Sequence, residues 1–212
     1  MPDSHRMHPW QPRMMPAFGE ALRSFDLDTL AAQEHTIYGL DATWRLAYVN
    51  PAWFRFAAEN DGLPQIIRDW PLGRDVLDAC APELRVFYAD VYDAVLRSGT
   101  LWEHDFECSS ADQYRLLHQT AYPLADGLGL LIVVSPIEQH PQMRDDAVHE
   151  PAAKAYQDED GQIAQCAHCR KTRRPDRRHR WDWVPAWVAR PPAHVTHTLC
   201  PVCLDHYFPG DD

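Results

Sequence analysis

Polar and apolar residues alternate most clearly where Trp102, His104, Phe106 and Cys108 are separated by Glu103, Asp105 and Glu107. That period of two predicts a half-buried β-strand. Two more strands are expected after it: Tyr114 to Tyr122, beyond the turn Ser109-Ser110-Ala111-Asp112, and Gly129 to Ile137, beyond Asp126-Gly127. The last is almost wholly apolar, which predicts an interior position in a sheet. Upstream, Thr36 to Asp41 and Leu46 to Asn50 read as a hairpin turning at Ala42-Thr43. Pro51 then opens a helix capped by Asn50 and carrying Trp53, Phe54, Phe56 and Ala57. A loop with Gly62, Pro64 and Pro71 follows. A second helix is expected from Pro82 to Ser98, with Leu84, Phe87, Tyr88, Val91, Tyr92 and Leu96 on its apolar side and Gly99 ending it. Residues 1–16 read as a loose tail. Over residues 17–34, Phe18, Ala21, Leu22, Phe25, Leu27, Leu30 and Ala31 approximate a helical stripe. That helix either meets a second copy in a homodimer or packs on its own domain. The pattern as a whole is α+β, with a five-stranded antiparallel sheet and flanking helices.

Composition narrows the class. With 45% hydrophobic residues in 212, the chain can bury a core for one medium domain and a small one. No apolar run reaches the length of a membrane span, and the N-terminus lacks the apolar stretch of a signal peptide, so a cytoplasmic protein with no membrane partner is expected. The net charge of −11 is unevenly spread. Residues 1–160 hold 12 basic and 26 acidic side chains, whereas residues 161–212 hold 8 basic and 5 acidic. This asymmetry predicts two domains.

The chemistry concentrates near the C-terminus. Cys166-Ala167-His168-Cys169 and Cys200-Pro201-Val202-Cys203 are two C-x-x-C turns separated by thirty residues. Two such turns supply the four soft ligands of a tetrahedral zinc site. A small domain must fold between them. Using all four sulfurs closes the coordination sphere, which makes the expected site structural and argues against a zinc hydrolase. The same four thiolates would suit an iron–sulfur cluster, and a redox dithiol or disulfides are the other readings. Cys80 and Cys108 stand alone in apolar surroundings and read as buried structural thiols.

Two resemblances follow from these residues. Ile37-Tyr38-Gly39-Leu40-Asp41, Leu46-Ala47-Tyr48-Val49-Asn50-Pro51-Ala52-Trp53, Leu72-Gly73-Arg74, Tyr122-Pro123-Leu124 and Leu130-Leu131-Ile132-Val133, in that order, resemble a PAS domain over residues 35–138. Cys166-Ala167-His168-Cys169-Arg170-Lys171 and Thr196-His197-Thr198-Leu199-Cys200-Pro201-Val202-Cys203 look like a small module found behind PAS domains in bacterial signalling proteins. Thr196 and Thr198 depart from that pattern, which has Ser and Gly there. Cys-Pro-x-Cys before a helix at Leu204 to Phe208 is similar to a treble-clef zinc finger, whose helix N-terminus favours thiolates. The expected organisation is a tail and helix over residues 1–34, a PAS-like domain over 35–138, a linker over 139–160 and a zinc module over 161–212.

The PAS resemblance implies a sensory or protein-interaction role. Tyr48, Trp53, Phe54, Phe87, Tyr88 and Trp102 are candidates to line a small-molecule pocket, or equally to fill a core. A tight hairpin pairing Cys108 with Tyr114 would set His104 opposite His118, a pair suited to a metal or to titration near neutral pH. Haem is a minor expectation, because the helix at Pro82 to Ser98 contains no His; flavin is no better supported.

Arg170, Lys171, Arg173, Arg174, Arg177, Arg178 and Arg180, with Trp181, Trp183 and Trp187 behind them, offer a nucleic-acid surface. The strongly acidic chain opposes it, and a solvated or docked loop is the favoured reading. No nucleophile elbow, phosphate loop, H-E-x-x-H or kinase pattern is visible, so no enzymatic activity is expected. A signal would then leave through an unidentified partner protein or a change in dimerisation.

Overall fold

The computed structural model describes residues 13–142, 148–177 and 179–210. The mixed α+β character predicted from the pattern is present. The chain divides into two compact units, residues 13–79, 88–104 and 119–135 in one and residues 80–87, 105–118, 136–142, 148–177 and 179–210 in the other.

The strands and helices follow the pattern closely. β1 (Arg13–Met14) is a short addition, followed by α1 (Leu27–Ala32), β2 (Thr36–Asp41), β3 (Leu46–Val49), α2 (Pro51–Glu59), α3 (Gln65–Asp69), α4 (Pro82–Ser98), β4 (Trp102–Glu107), β5 (Gln113–Pro123) and β6 (Gly129–Pro141). Their sheet has the order β1-β3-β2-β6-β5-β4, so it gains a sixth, two-residue edge strand where a loose tail was expected. β6 is an interior strand, apolar over its first six residues, with Leu130 and Ile132 wholly buried.

Asn50 anchors the first unit. Its Oδ1 accepts from Trp53 N at 3.2 Å, capping α2, and from Ile37 N at 3.0 Å. Its Nδ2 donates to His35 O at 2.9 Å. One wholly buried amide thus ties the start of β2 to the start of α2. Gly129 runs against β2 so closely that a Cβ would lie 2.1 Å from Leu40 O, and its φ of +155° also disfavours a side chain.

The single helix expected over residues 17–34 is not continuous. A 3-10 turn at Pro16–Gly19 and α1 are separated by residues 20–26, and Asp26 caps α1 by accepting from Asp28 N. The cap's extended backbone breaks the helical run. The apolar positions still face inward in part. Phe18, Ala21, Leu22 and Leu30 pack with Ile37, Ala47, Tyr48, Leu124 and Leu131, whereas Phe25 and Leu27 are exposed. Phe18 lies over Gly39, where a Cβ would come within 2.4 Å of its ring.

The second unit contains β7 (Ile163–Cys166), β8 (Thr172–Arg173), β9 (Trp181–Asp182), α5 (Pro185–Ala189), β10 (Val195–Thr198) and α6 (Pro201–Tyr207). Its sheet has the order β10-β7-β8-β9, with β10 parallel to β7 and the other pairs antiparallel. Tyr156, Ile163, Val184 and Trp187 form a core cluster in it. The stretch read as a linker contributes to it: Tyr156 is buried, and Gln157 bridges to Ile163. Two expectations for cysteines need correction. Cys108 is exposed and Cys80 is half-buried, because Cys108 falls just past β4 and Cys80 lies in the link before α4.

Candidate functional site

The first C-x-x-C turn closes β7 onto β8. Cys166 N donates to Lys171 O at 2.8 Å and Arg170 N to Cys166 O at 3.1 Å. Arg170 adopts φ 63°, the left-handed conformation that lets the chain reverse and fold Cys169 back toward Cys166. The parallel pairing of β10 with β7 delivers the second turn. Thr198 stands opposite Cys166, and Ala167 N donates to Thr198 O at 2.7 Å. Cys200 then caps α6, Pro201 occupies its first turn, and Cys203 points from that turn to the same place.

The four Sγ atoms lie within 4.8 Å of one another, and all four residues are buried. Cys169 Sγ and Cys200 Sγ are 3.8 Å apart, and Cys200 N donates to Cys166 Sγ at 3.4 Å. A tetrahedron with metal–sulfur bonds of about 2.3 Å has sulfur–sulfur edges of about 3.8 Å. The residues therefore fit a four-thiolate centre, and the cluster could hold a metal ion, as zinc or an iron–sulfur cluster.

The electrostatics favour a cation. Hydrogen bonds from Cys169, Cys200 and Cys203 hold the Cys166 thiol far below the ordinary thiol range. The Cys166 thiolate in turn pushes Cys169 and Cys203 far above it, and burial adds to the shift. Buried sulfurs this close resist ionising together, and a central cation removes that repulsion.

The residues around the cluster escaped the sequence reading. His168 Nδ1 lies 2.9 Å from Tyr207 Oη. Tyr207 packs edge-to-face on Phe87 with ring centroids 5.0 Å apart, and Phe208 does so at 5.8 Å. His206 Nε2 meets Asp105 O at 3.1 Å. The available signals were His168 inside the first turn and Tyr207 four residues after Cys203, one helical turn on.

A second polar node sits at Asp182, which is buried. Arg180 Nε donates to Oδ1 at 2.7 Å and Tyr156 Oη to Oδ2 at 2.9 Å. Burial alone would raise the Asp182 carboxyl, but these bonds outweigh it and the net shift is downward. Burial, reinforced by Asp182, pushes the Tyr156 phenol up.

Three of the six described members of the basic run pair with acids of their own unit. Arg173 pairs with Asp158 at 3.9 Å, Arg174 with Asp176 at 3.1 Å and Arg180 with Asp182 at 2.7 Å. Arg178 lies outside the described residues. Trp183 and Trp187 are buried and offer no stacking platform.

The candidate pocket residues each have packing contacts. Tyr48 packs with Phe18 and Leu22, and burial pushes its phenol up to about 12. Trp53 meets Tyr38 at 5.4 Å, and Arg13 lies over Phe54 at 4.8 Å. Tyr88, Trp102 and His104 form a chain of ring contacts, with Trp102 stacked on His104 at 5.3 Å. Phe87 packs instead with Tyr207 and Phe208 in the second unit. An open groove of about 250 Å³ in the first unit is lined by Phe25, Leu30, Ile37, Tyr122, Leu131 and Val133, none of them among those candidates.

The pairing of His104 with His118 is corrected by one residue. Cys108 N donates to Arg115 O and Ser110 N to Gln113 O, each at 2.9 Å. The hairpin therefore closes with two residues, Ala111 and Asp112, rather than the longer loop assumed. His118 Nδ1 meets Asp105 Oδ1 at 2.6 Å instead. A one-residue slip moves each side chain to the opposite face.

No family model and no curated protein matches the chain. Among solved structures, the chain is similar to a PAS domain from a two-component sensor histidine kinase, with 16% identity and a TM-score of 0.36, over 56% of this chain and 98% of that one. No helix among the described residues is long and apolar enough to cross a membrane.

Proposed function

We propose that the chain is a PAS-type sensory or protein-interaction module of a bacterial signalling pathway, stabilised by a structural four-thiolate zinc site. The observation that carries the metal site is the meeting of four buried sulfurs within 4.8 Å. Cys166, Cys169, Cys200 and Cys203 would be its ligands. A bound ion there ties the β7–β8 turn to the start of α6. With four thiolates the coordination sphere is closed, and the role is structural. The signalling half of the reading draws support from the sequence resemblance over residues 35–138. It also fits the order of two strands, helices and three more strands that those residues form. The module would act without catalysis, through a small molecule, a partner protein or self-association. The nucleic-acid reading is weakened by the burial of Trp183 and Trp187 and by the pairing of Arg173, Arg174 and Arg180 with acids of their own unit.

Elemental analysis with a visible absorption spectrum on freshly purified protein tests the metal site. One zinc per chain and a colourless sample are expected. Iron with charge-transfer bands would replace the structural site with a redox centre. Native mass spectrometry of gently purified protein tests the ligand, and a chain carrying no small molecule under any condition would leave partner contact as the sensory route.

A further inference from the structure

A part-buried polar bond connects the strand that leads into the cysteine cluster to the start of α4. Thr198 Oγ1 donates to Glu83 Oε1 at 2.8 Å. The other carboxylate oxygen, Glu83 Oε2, is buried with no hydrogen-bond partner among the described residues. Glu83 lies in the first turn of a seventeen-residue helix, where the helix dipole favours an anion. With Oε2 buried and unbonded, the carboxylate relies on the Thr198 hydroxyl at Oε1, and so on that hydroxyl being held in place. Thr198 is held by the cluster on both sides: it stands opposite Cys166, accepts from Ala167 N, and lies two residues before Cys200. Four residues along α4, Phe87 receives the rings of Tyr207 and Phe208, which follow Cys203 on α6 and its end. His206 on the same helix reaches Asp105 O.

We propose that metal loading of the four cysteines clamps the first turns of α4, so that metal occupancy is a regulatory input read out at Glu83–Phe87 through Thr198, Tyr207 and Phe208. The inference rests on the metal reading above. Without the ion, the two C-x-x-C turns lose their common tether, and Thr198 and Tyr207 lose the frame that presents them to α4.

Hydrogen exchange on the full chain tests this, comparing zinc-loaded protein with protein stripped by a chelator, with zinc content measured in parallel. Stripping is expected to speed exchange across residues 82–87 by on the order of tenfold or more while residues 36–49 stay unchanged. Unchanged exchange at 82–87 after the zinc has left would overturn the clamp but leave the metal site standing. A chain that binds no zinc at all would overturn both. Because stripping could unfold the module broadly, Thr198→Val supplies a second arm. It should keep its zinc and still speed exchange at 82–87 by on the order of tenfold, the loss of one bond to a charged group. Wild-type exchange in that variant would also refute the clamp.

Discussion

The two units hold together by different means. In the first, Phe18, Leu22, Leu30, Ile37, Ala47, Tyr48, Leu124 and Leu131 form a continuous apolar cluster, and the wholly buried Asn50 satisfies the backbone where strand meets helix. In the second, Tyr156, Ile163, Val184 and Trp187 cluster beside four cysteines and a buried carboxylate node. Stabilisation by apolar burial scales with the area removed from water, and it acts in both units. A metal at the four cysteines would add a further source of folding free energy to the second alone. Loss of a core side chain and loss of a ligand should therefore damage different units.

The largest effect is expected from the ligands. Cys169→Ser should release the metal and unfold the C-terminal module, because a structural zinc contributes about 10–16 kcal/mol of apparent binding energy to folding. Metal content and the melting profile check this, and a variant that keeps both would sink the structural site. Phe18→Ala should cost the first unit about 3–5 kcal/mol and leave metal content unchanged, as read from chemical denaturation of the metal-loaded chain. Loss of metal in that variant would erase the distinction between the units.

Asn50→Ala should cost about 2–3 kcal/mol, since it removes the α2 cap and strands Ile37 N and His35 O. The same denaturation measurement would count against the anchor if stability were unaltered.

The smallest effect is expected at Asp182, where Asp182→Asn should cost about 1–2 kcal/mol at neutral pH. The folded state lowers the Asp182 carboxyl. Its contribution is therefore present above the unfolded aspartate value of about 4 and is lost as pH falls through the lower folded value. Wild type and variant should differ at pH 7 and converge in strong acid. A difference independent of pH would remove the charge from the account.

Much of this was legible locally. Asn50-Pro51 marks a cap and a first helical turn by residue type alone, and the bounds of α4 follow from Pro82 and Gly99. The two C-x-x-C turns identify their own chemistry, because short spacing limits where two thiols can point. What was misread depends on partners remote in sequence or on the turn between them. The stripe through Phe18 and Leu22 looked like one helix, yet Asp26 caps a separate one and the sheet decides which side chains are buried. Thr198 looked like a mild departure from a pattern, and only the fold brings its hydroxyl to Glu83.

The sequence by itself determined β2 to β6, the Asn50 cap, the interior place of β6 and the four sulfur donors, because periodicity, backbone preference and ligand chemistry are properties of a few neighbouring residues. The tertiary structure alone decided the pairing of His118 with Asp105, the ring contacts of Trp53 with Tyr38 and of Tyr88 with Trp102, and the seating of Thr198 and Tyr207 on α4. A two-residue turn sets the first by shifting every partner by one position, and long-range packing sets the others, where side chains remote in sequence meet, as Phe87 does with Tyr207.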